Sequence, residues 1–444
     1  MDDNMSTLIN QDNTDGRVKL KRNIGVWTGM SIVVGSMIGS GIFVSTKGVL
    51  LGAGSIGLSL IIWLVCGIVA ILGSLVYVEL GCMLPKAGGD YEYINQAFGS
   101  IPSFLFAWST VLCFLHSHRK NFFGYTRNTC GQLYKLRSPK VLALVIIIGI
   151  GVAYAVKTKL MLFRNPFEVK VSNSDRTTLI LAIYSGLYSF AGWNTLNFIG
   201  EEIKHPERDM PIAIVSGISL TTIIYVLVNA AYFVLLTPQE IVESNAIAVT
   251  YSEVVWVALG NIMSGFVALS TFGYLNGMTM ATSRIAFSAA RRHHMPRFMC
   301  LINCQNKLPI CAVVSTTVIS ILLLFIGDLY RLISIASCCE YIFILLSVIG
   351  MLVLRRRRPD WNRPFRVPIW IAVFFSASCI FVIIMTFYYI PLDGLICVGF
   401  NLLGLIIYAV CKKNEFVNRR LAIYAKKLEN ILQKLTLSEF DLSN

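Results

Sequence analysis

The chain predicts an all-α polytopic membrane protein, and three observations carry that prediction. Hydrophobic residues fill 55% of the 444 positions and charged residues 14%, against about 25% charged in soluble domains. Mean hydropathy is +0.67, and apolar runs long enough to cross a bilayer recur from near residue 23 to near residue 411. Two of those runs are interrupted, at Gly35-Ser36-Met37-Ile38-Gly39-Ser40-Gly41-Ile42-Phe43 and at Tyr188-Ser189-Phe190-Ala191-Gly192-Trp193-Asn194.

Residues 1–22 form a polar tail ending in Arg17, Lys19, Lys21 and Arg22. Basic flanks hold such ends on the cytoplasmic side. The first apolar run is too long for the h-region of a cleavable signal peptide, so none is read. Apolar segments follow near 23–44, 54–80, 100–117, 139–156, 177–200, 211–236, 254–289, 309–326, 329–354, 369–390 and 394–411. That is eleven, within a transmembrane region of 23–411. The 254–289 run exceeds one straight span, so its end projects into the cytoplasm.

Within the first run, three glycines and two serines make poor helix. Non-helical backbone at that depth must be buried in protein or line a wet cavity, because lipid cannot satisfy its N–H and C=O groups. A half-helix starting there points its positive end at an anion. The glycines alone equally fit close helix packing. The second interruption tips the balance, since paired broken segments mark the binding site of a secondary transporter.

The loops carry the remaining signals. Pro85, Gly88 and Gly89 break the helix after the second segment, just before Asp90. The loop Glu201-Glu202-Ile203-Lys204-His205-Pro206-Glu207-Arg208-Asp209 has nearly balanced charge. It reads either as a solvated turn or as a cytoplasmic gate of ion pairs. Basic clusters at Arg291-Arg292-His293-His294, Arg355–Arg358 and Lys412-Lys413 stand two spans apart, so all can be cytoplasmic together. An odd number of segments cannot keep both ends inside. The anomaly falls at 116–138, which carries Arg119, Lys120, Arg127, Lys135 and Arg137 with no acid. Each such charge at mid-bilayer costs roughly 2.5–3.5 kcal/mol, so the stretch does not span. The 157–176 loop is basic too, and charge leaves the segment between them unoriented. The 412–444 tail places Leu421, Tyr424, Leu428, Ile431, Leu432 and Leu435 on one helical face, suited to the inner membrane surface or to a solvated tail helix.

Other function classes are disfavoured. The net charge of +14 sits largely in loops beside apolar runs, where it sets topology and gives no nucleic-acid footprint. No catalytic triad, phosphate loop or cofactor motif occurs in context, so neither an enzyme nor a cofactor is read. Cys300 and Cys304 lie near His293 and His294, but a metal site there is disfavoured, and several of the twelve cysteines read as small buried hydrophobes. Eleven segments, two of them broken, argue against a seven-helix receptor, and no pore-loop filter appears.

The residues also carry a resemblance. Arg22 through Gly41-Ile42-Phe43, Gly57-Leu58-Ser59, Tyr77-Val78-Glu79-Leu80-Gly81, Pro85-Lys86-Ala87-Gly88-Gly89, Gly192-Trp193-Asn194, Glu201-Glu202, Asn276-Gly277 and Ser283-Arg284 together resemble the L-type amino-acid transporters. These are light subunits of heteromeric transporters in the amino acid–polyamine–organocation superfamily. The likeness covers about 17–115 and 138–411. It implies a LeuT-like inverted-repeat fold, with about 11 apolar segments here where the family has 12. It implies sodium-independent exchange of neutral amino acids at the plasma membrane, with cationic ones an open extension. The implied partners are amino acids, membrane lipid and a single-pass heavy-chain glycoprotein joined by a disulfide.

Carried over by position, the resemblance gives the substrate carboxylate to the backbone of Ser36, Met37, Ile38, Gly39, Ser40, Gly41 and Ile42. Carbonyls near Tyr188, Ser189 and Ala191 would receive the ammonium. Phe190 and Trp193 would border or gate the side-chain pocket, and Asn194 would be polar lining. Lys140 matches a lysine that stands in for bound sodium, or is an ordinary interfacial lysine. Two departures matter. The end of the third segment and the whole fourth are replaced by the basic stretch at 116–137, and the family's heavy-chain cysteine is lost with them; Cys130 lies outside any matching context. The alternative function is therefore a non-transporting truncated isoform or a faulty gene model. Second, Glu340 stands where relatives often have asparagine. It would favour cationic side chains or carry a proton, or would pair with Arg331 or Arg284.

Overall fold

Main chain that cannot hydrogen-bond to lipid must close its bonds within helices, and the computed structural model is helical almost throughout. It describes residues 20, 22–39, 41–118, 138–158, 165–168, 176–244, 246–305, 307–323, 329–413, 426, 429–436 and 438–440. The first apolar run becomes α1 (Val26–Met37) and α2 (Gly41–Ala53), bent by 52° where Ile38 and Gly39 leave the helix. Thus the run extends beyond residue 44 and is not one straight span. α3 (Ile56–Met83) opens on Ser55, whose hydroxyl accepts from the Leu58 N–H at 3.4 Å. That satisfies one of the orphan donors at a helix start.

After α3 come the short α4 (Asp90–Phe98), then α5 (Ser100–His118) and α6 (Ser138–Thr158). α7 (Arg176–Ser189) stops in a turn at 190–194 before the one-turn α8 (Thr195–Phe198). α9 (Pro206–Leu235), the short α10 (Pro238–Glu243) and α11 (Ile247–Val255), and the 35-residue α12 (Val257–Arg291) follow. The chain ends with β1 (Leu301–Asn303), α13 (Ile310–Leu323), α14 (Leu329–Arg357), α15 (Ile369–Tyr389), α16 (Pro391–Lys413) and β2 (Ser438–Phe440).

Each of the eleven apolar segments contains helix, with the first split between α1 and α2 and the 177–200 run between α7 and α8. Only six helices among the described residues are individually long and apolar enough to cross a membrane, or seven with the bent pair counted as one. This is fewer than the eleven read from the sequence. The stretch 119–137, most of the basic insert, lies outside the described residues, as do Ser40 and the first part of the C-terminal amphipathic pattern.

Packing sets the broken elements at the centre. α2 lies along α7, while α9 packs on both α1 and α3, and α12 lies against α1. α15 and α16 stand at the edge, and Phe374, Ile384, Leu395, Leu402 and Ile406 are exposed there. Exposed apolar side chains with buried polar ones are the arrangement a hydrocarbon solvent demands. In the interior, Thr46 Oγ1 donates to Asn229 Oδ1 at 2.9 Å, and the Asn229 amide donates to Tyr225 O at 2.8 Å. The pair joins α2 to α9.

One side of the molecule gathers the charge. Glu79, fully buried, pairs with Arg355 through two hydrogen bonds, and the Val367 N–H donates to it at 2.8 Å. β2 pairs antiparallel with β1 near the end of α12, and Leu20 joins the same apolar cluster. Leu20 and β2 therefore meet beside the Arg291 end of α12. Replacing Arg355 with methionine leaves a buried carboxylate without its main counter-charge, at a cost of about 3–5 kcal/mol. Arg355→Met should lower the melting temperature of the detergent-solubilised protein by several degrees, with Glu79→Gln in the same chain recovering part of the loss; an unchanged melt contradicts this account.

Candidate functional site

The two interruptions meet. Gly192 holds φ +94, a conformation that favours glycine, and a Cβ there would sit 2.6 Å from the Ser36 carbonyl oxygen. From the other side, a Cβ on Gly41 would lie 3.1 Å from the Ser189 Cα. Only residues without side chains let the two main chains approach this closely. α12 closes a third side: a Cβ on Gly39 would sit 3.0 Å from the Tyr274 ring, and one on Gly277 would sit 2.6 Å from the Ser36 hydroxyl.

One residue ties both breaks together. The Tyr225 hydroxyl donates to Met37 O at 2.8 Å and reaches Ser189 O at 3.3 Å. These are carbonyls at the ends of α1 and α7, where helices leave acceptors unused. The Ser36 hydroxyl, by contrast, is buried without a hydrogen-bond partner. A buried polar group in that condition is unusual in folded proteins and invites a ligand or water. It lies beside the gap in which α2 begins, where the first helical N–H groups lack intrahelical acceptors. The combination can receive an anion.

The predicted residues distribute as follows. Ser36, Met37, Ile38, Gly39 and Ile42 are buried around the first break, with Gly41 half-buried. Of the described residues in 36–42, none lines the two larger cavities described below. The Tyr188 carbonyl accepts from the Ala191 N–H at 3.1 Å, within the turn. Phe190 is buried against Tyr225 and Trp63, at 5.1 and 6.2 Å between ring centroids. Trp193 stands edge-on to Tyr77 at 4.8 Å. Lys140 falls on α6, and its side chain is outside the described residues.

A cavity opens beside the second break. Ala191, Gly192 and Asn194 form one wall, Tyr274 and Met278 another, and Asp90 and Glu340 supply the carboxylates. A second cavity includes Tyr188, Trp193 and Tyr341, and shares Ala191, Tyr274, Met278 and Glu340 with the first. Glu340 thus stands at the partition between the two. The alternative pairing with Arg284 does not occur: Arg284 Nε donates to Glu202 at 2.8 Å, because the Arg291 end of α12 faces the 200–202 turn. Arg331 lies outside the residues whose side chains are described.

Sequence reasoning missed Asp90, Tyr274 and Met278 as cavity residues. Asp90 was visible as the acid directly after Gly88-Gly89, but its loop reads only as a helix break. In the structure it is 2% exposed and accepts from Tyr77 and from the Ser347 hydroxyl at 2.6 Å. Burial pushes its carboxyl up to about 6, its hydrogen bonds opposing only in part. Tyr274 and Met278 sit on an apolar α12 whose pattern gives no sign of which face meets the breaks.

In the 201–209 loop Lys204, His205, Glu207 and Arg208 are exposed, whereas Glu201 and Glu202 are ion-paired. Arg291 pairs with Glu201 at 2.6 Å and Arg292 with Glu92 at 2.8 Å, beside the Arg284–Glu202 pair. The Asn23 and Ile24 N–H groups donate to Glu202 O at 3.0 Å, which fastens the start of α1 to the same loop. No group of three or more histidine, cysteine or acidic side chains that could hold a metal occurs among the described residues.

A family model described as "Amino acid permease" matches residues 24–119 and 136–411. The chain is 37% identical over 416 residues to the human "Cystine/glutamate transporter", covering 84% of this chain and 82% of the relative. It is 34% identical over 428 residues to the rat "b(0,+)-type amino acid transporter 1", covering 88% of each. It is also 34% identical over 433 residues to the human "Large neutral amino acids transporter small subunit 2", covering 88% and 81%.

Two outcomes follow from the geometry. Tyr225→Phe removes the donor shared by two buried carbonyls, worth about 1–3 kcal/mol; the melting temperature should fall, and no change would contradict the bridging role. For Asp90, the folded carboxyl titrates near 6 and the ordinary value is 3.8, so the folded state holds the proton longer. Its contribution to stability is greatest at low pH and is lost as pH rises from about 4 to 6. Melting temperatures recorded across that interval should fall less in Asp90→Asn than in the parent; parallel curves would contradict the assignment.

Proposed function

The chain belongs to the amino acid permease family, and on that premise we propose that it is a sodium-independent amino-acid exchanger working by alternating access. The observation that carries this reading is the contact between the two broken helices, with the unpartnered Ser36 hydroxyl between them. An α-amino acid has a carboxylate and an ammonium on one carbon. Free N–H groups at the start of α2 and the Ser36 hydroxyl at the end of α1 suit the first, and carbonyls at the end of α7 suit the second. The side chain then extends into the cavities beside Ala191, Trp193 and Asn194.

The finer architecture belongs to the same reading. A LeuT-like inverted-repeat fold of about eleven apolar segments is proposed, with tails at 1–22 and 412–444 around the transporter region 23–411. The family model leaves 120–135 unmatched, which supports a replaced span there. Lys140 would take the place of a sodium ion. A plasma-membrane location and a single-pass heavy-chain glycoprotein partner are proposed by likeness, without the family's linking cysteine. The ion pairs of Glu201, Glu202 and Glu92 with the end of α12 would be the cytoplasmic gate that opens during transport.

The relatives' printed substrates are cystine and glutamate for one and large neutral amino acids for another, so likeness alone selects no side chain. Glu340 does: a carboxylate on a cavity wall within the membrane favours a cationic partner. A second reading, a non-transporting truncated isoform, rests on the unmatched stretch; a sibling transcript carrying an extra span between 115 and 140 would favour it.

Reconstituted into liposomes preloaded with amino acid, the chain should exchange external labelled amino acid in the absence of sodium, and no substrate-stimulated efflux would contradict the proposal. Glu340→Gln should cut uptake of lysine and arginine about tenfold or more while sparing leucine; equal losses would remove Glu340 from the specificity argument.

A further inference from the structure

Three buried thiols gather where α14 meets α16, and nothing in transport uses them. Cys338, Cys339 and Cys397 are at most 1% exposed and form one cluster with Ile335. Cys339 Sγ lies 2.9 Å from Cys397 Sγ, about 0.9 Å longer than a covalent disulfide bond. Cys338 belongs to the same buried cluster as Cys397. The Asn401 amide points at the pair, 3.7 Å from Cys339 Sγ and 4.0 Å from Cys397 Sγ, and its oxygen accepts from Ser109 on α5 at 2.8 Å.

Depth and access are defined too. Cys339 precedes Arg355 by 16 residues and Cys397 precedes Lys412 by 15, about 24 and 22 Å along helices that rise 1.5 Å per residue. Both basic ends mark the same face, so the sulfurs share one level, in the far half of a core about 30 Å thick. Cys339 also lines the larger cavity, next to Glu340. The side chain itself is fully buried, so an oxidant held in the cavity reaches this thiol only when that wall moves.

We propose that Cys339 and Cys397 are a redox-closable clamp: a small hydroperoxide entering the cavity converts them to a disulfide that joins α14 to α16. The Cys339 sulfur, as thiolate, attacks one peroxide oxygen. The O–O bond breaks, the sulfur becomes a sulfenic acid, and for hydrogen peroxide the leaving hydroxide takes a proton to become water. The Cys397 sulfur then attacks the sulfenic sulfur. The S–S bond forms, the S–O bond breaks, and the second hydroxide leaves as water with the Cys397 proton. Two thiols are oxidised by two electrons and one peroxide is reduced to two waters. Cys338, in the same cluster, can take over the bond by exchange.

The bond would fix the cavity wall that carries Glu340. α16 already holds α5 through Asn401 and Ser109, so α5, α14 and α16 would move as one. The effect on turnover rests on the exchanger reading above; the bond itself does not.

The full chain, in liposomes, is treated with hydrogen peroxide, alkylated, and digested without reductant. Mass spectrometry should find the Cys397 peptide linked to the Cys338-Cys339 peptide, and dithiothreitol should release it. Full alkylation of Cys397 after denaturation, with no linked peptide, overturns the proposal. Amino-acid exchange should drop about fivefold on oxidation and return with dithiothreitol, whereas Cys397→Ala should keep its rate throughout. A linked peptide with an unaltered exchange rate overturns the clamp role. If Cys397→Ala does not fold, the peptide assay on the unmodified chain still decides whether the bond forms. If exchange is absent before oxidation, the exchanger reading fails and the bond is judged by the peptide assay alone.

Discussion

Backbone that cannot be solvated is the constraint on which this molecule depends. Two helices stop inside an apolar body, and each leaves carbonyl and N–H groups that lipid would strand at a cost of several kcal/mol per group. The chain answers by placing the two defects against one another. Gly192 against the Ser36 carbonyl and Gly41 against Ser189 allow the approach, and the Tyr225 hydroxyl serves carbonyls of both. What is left over, a hydroxyl on Ser36 and the first N–H groups of α2, is polar capacity for a ligand. The site is thus the residue of an incomplete satisfaction, held by a rigid surround of Trp63, Phe190 and Tyr225.

Charge is handled by the opposite rule. Ionic groups within the fold are confined largely to one face, where Glu79, Glu92, Glu201 and Glu202 each find an arginine. The partners come from elements far apart in sequence, so the pairs fasten the start of α1, the 200–202 turn, and the ends of α12 and α14 together. Such pairs add little net stability when well desolvated, yet breaking one strands its partner. They therefore suit a closure that holds until all its members move. Asp90 and Glu340 stand apart from this set: both face the cavity with no cation against them among the described residues. For Asp90 the outcome is a carboxyl raised toward neutrality by burial.

Much of the fold was legible because hydropathy alone decides where helices fall in a membrane protein. Each apolar segment contains helix, and the two breaks fall within the stretches Gly35 to Phe43 and Tyr188 to Asn194 that announced them. The number of clear spans was less legible. α5, α6 and α13 adjoin stretches outside the described residues, and an apolar run in the sequence does not reveal how long its helix remains regular. Asp90, Tyr274 and Met278 were missed for a related reason. A side chain at the end of a loop, or on a helix apolar all round, shows no periodicity that singles out its neighbours.

Composition, spacing of apolar runs and the clustering of glycine with serine determined the class, the helices and the places where they break. These are local properties, fixed by transfer energy and by the weak helix propensity of glycine, and they need no partner to be expressed. Which break meets which, which acid finds which arginine, and which sulfur lies beside which were decided by the tertiary structure alone. Those outcomes turn on side chains brought together across up to 292 positions, as in the Ser109–Asn401 hydrogen bond. Contact at that range depends on how whole helices pack, and no local pattern encodes it.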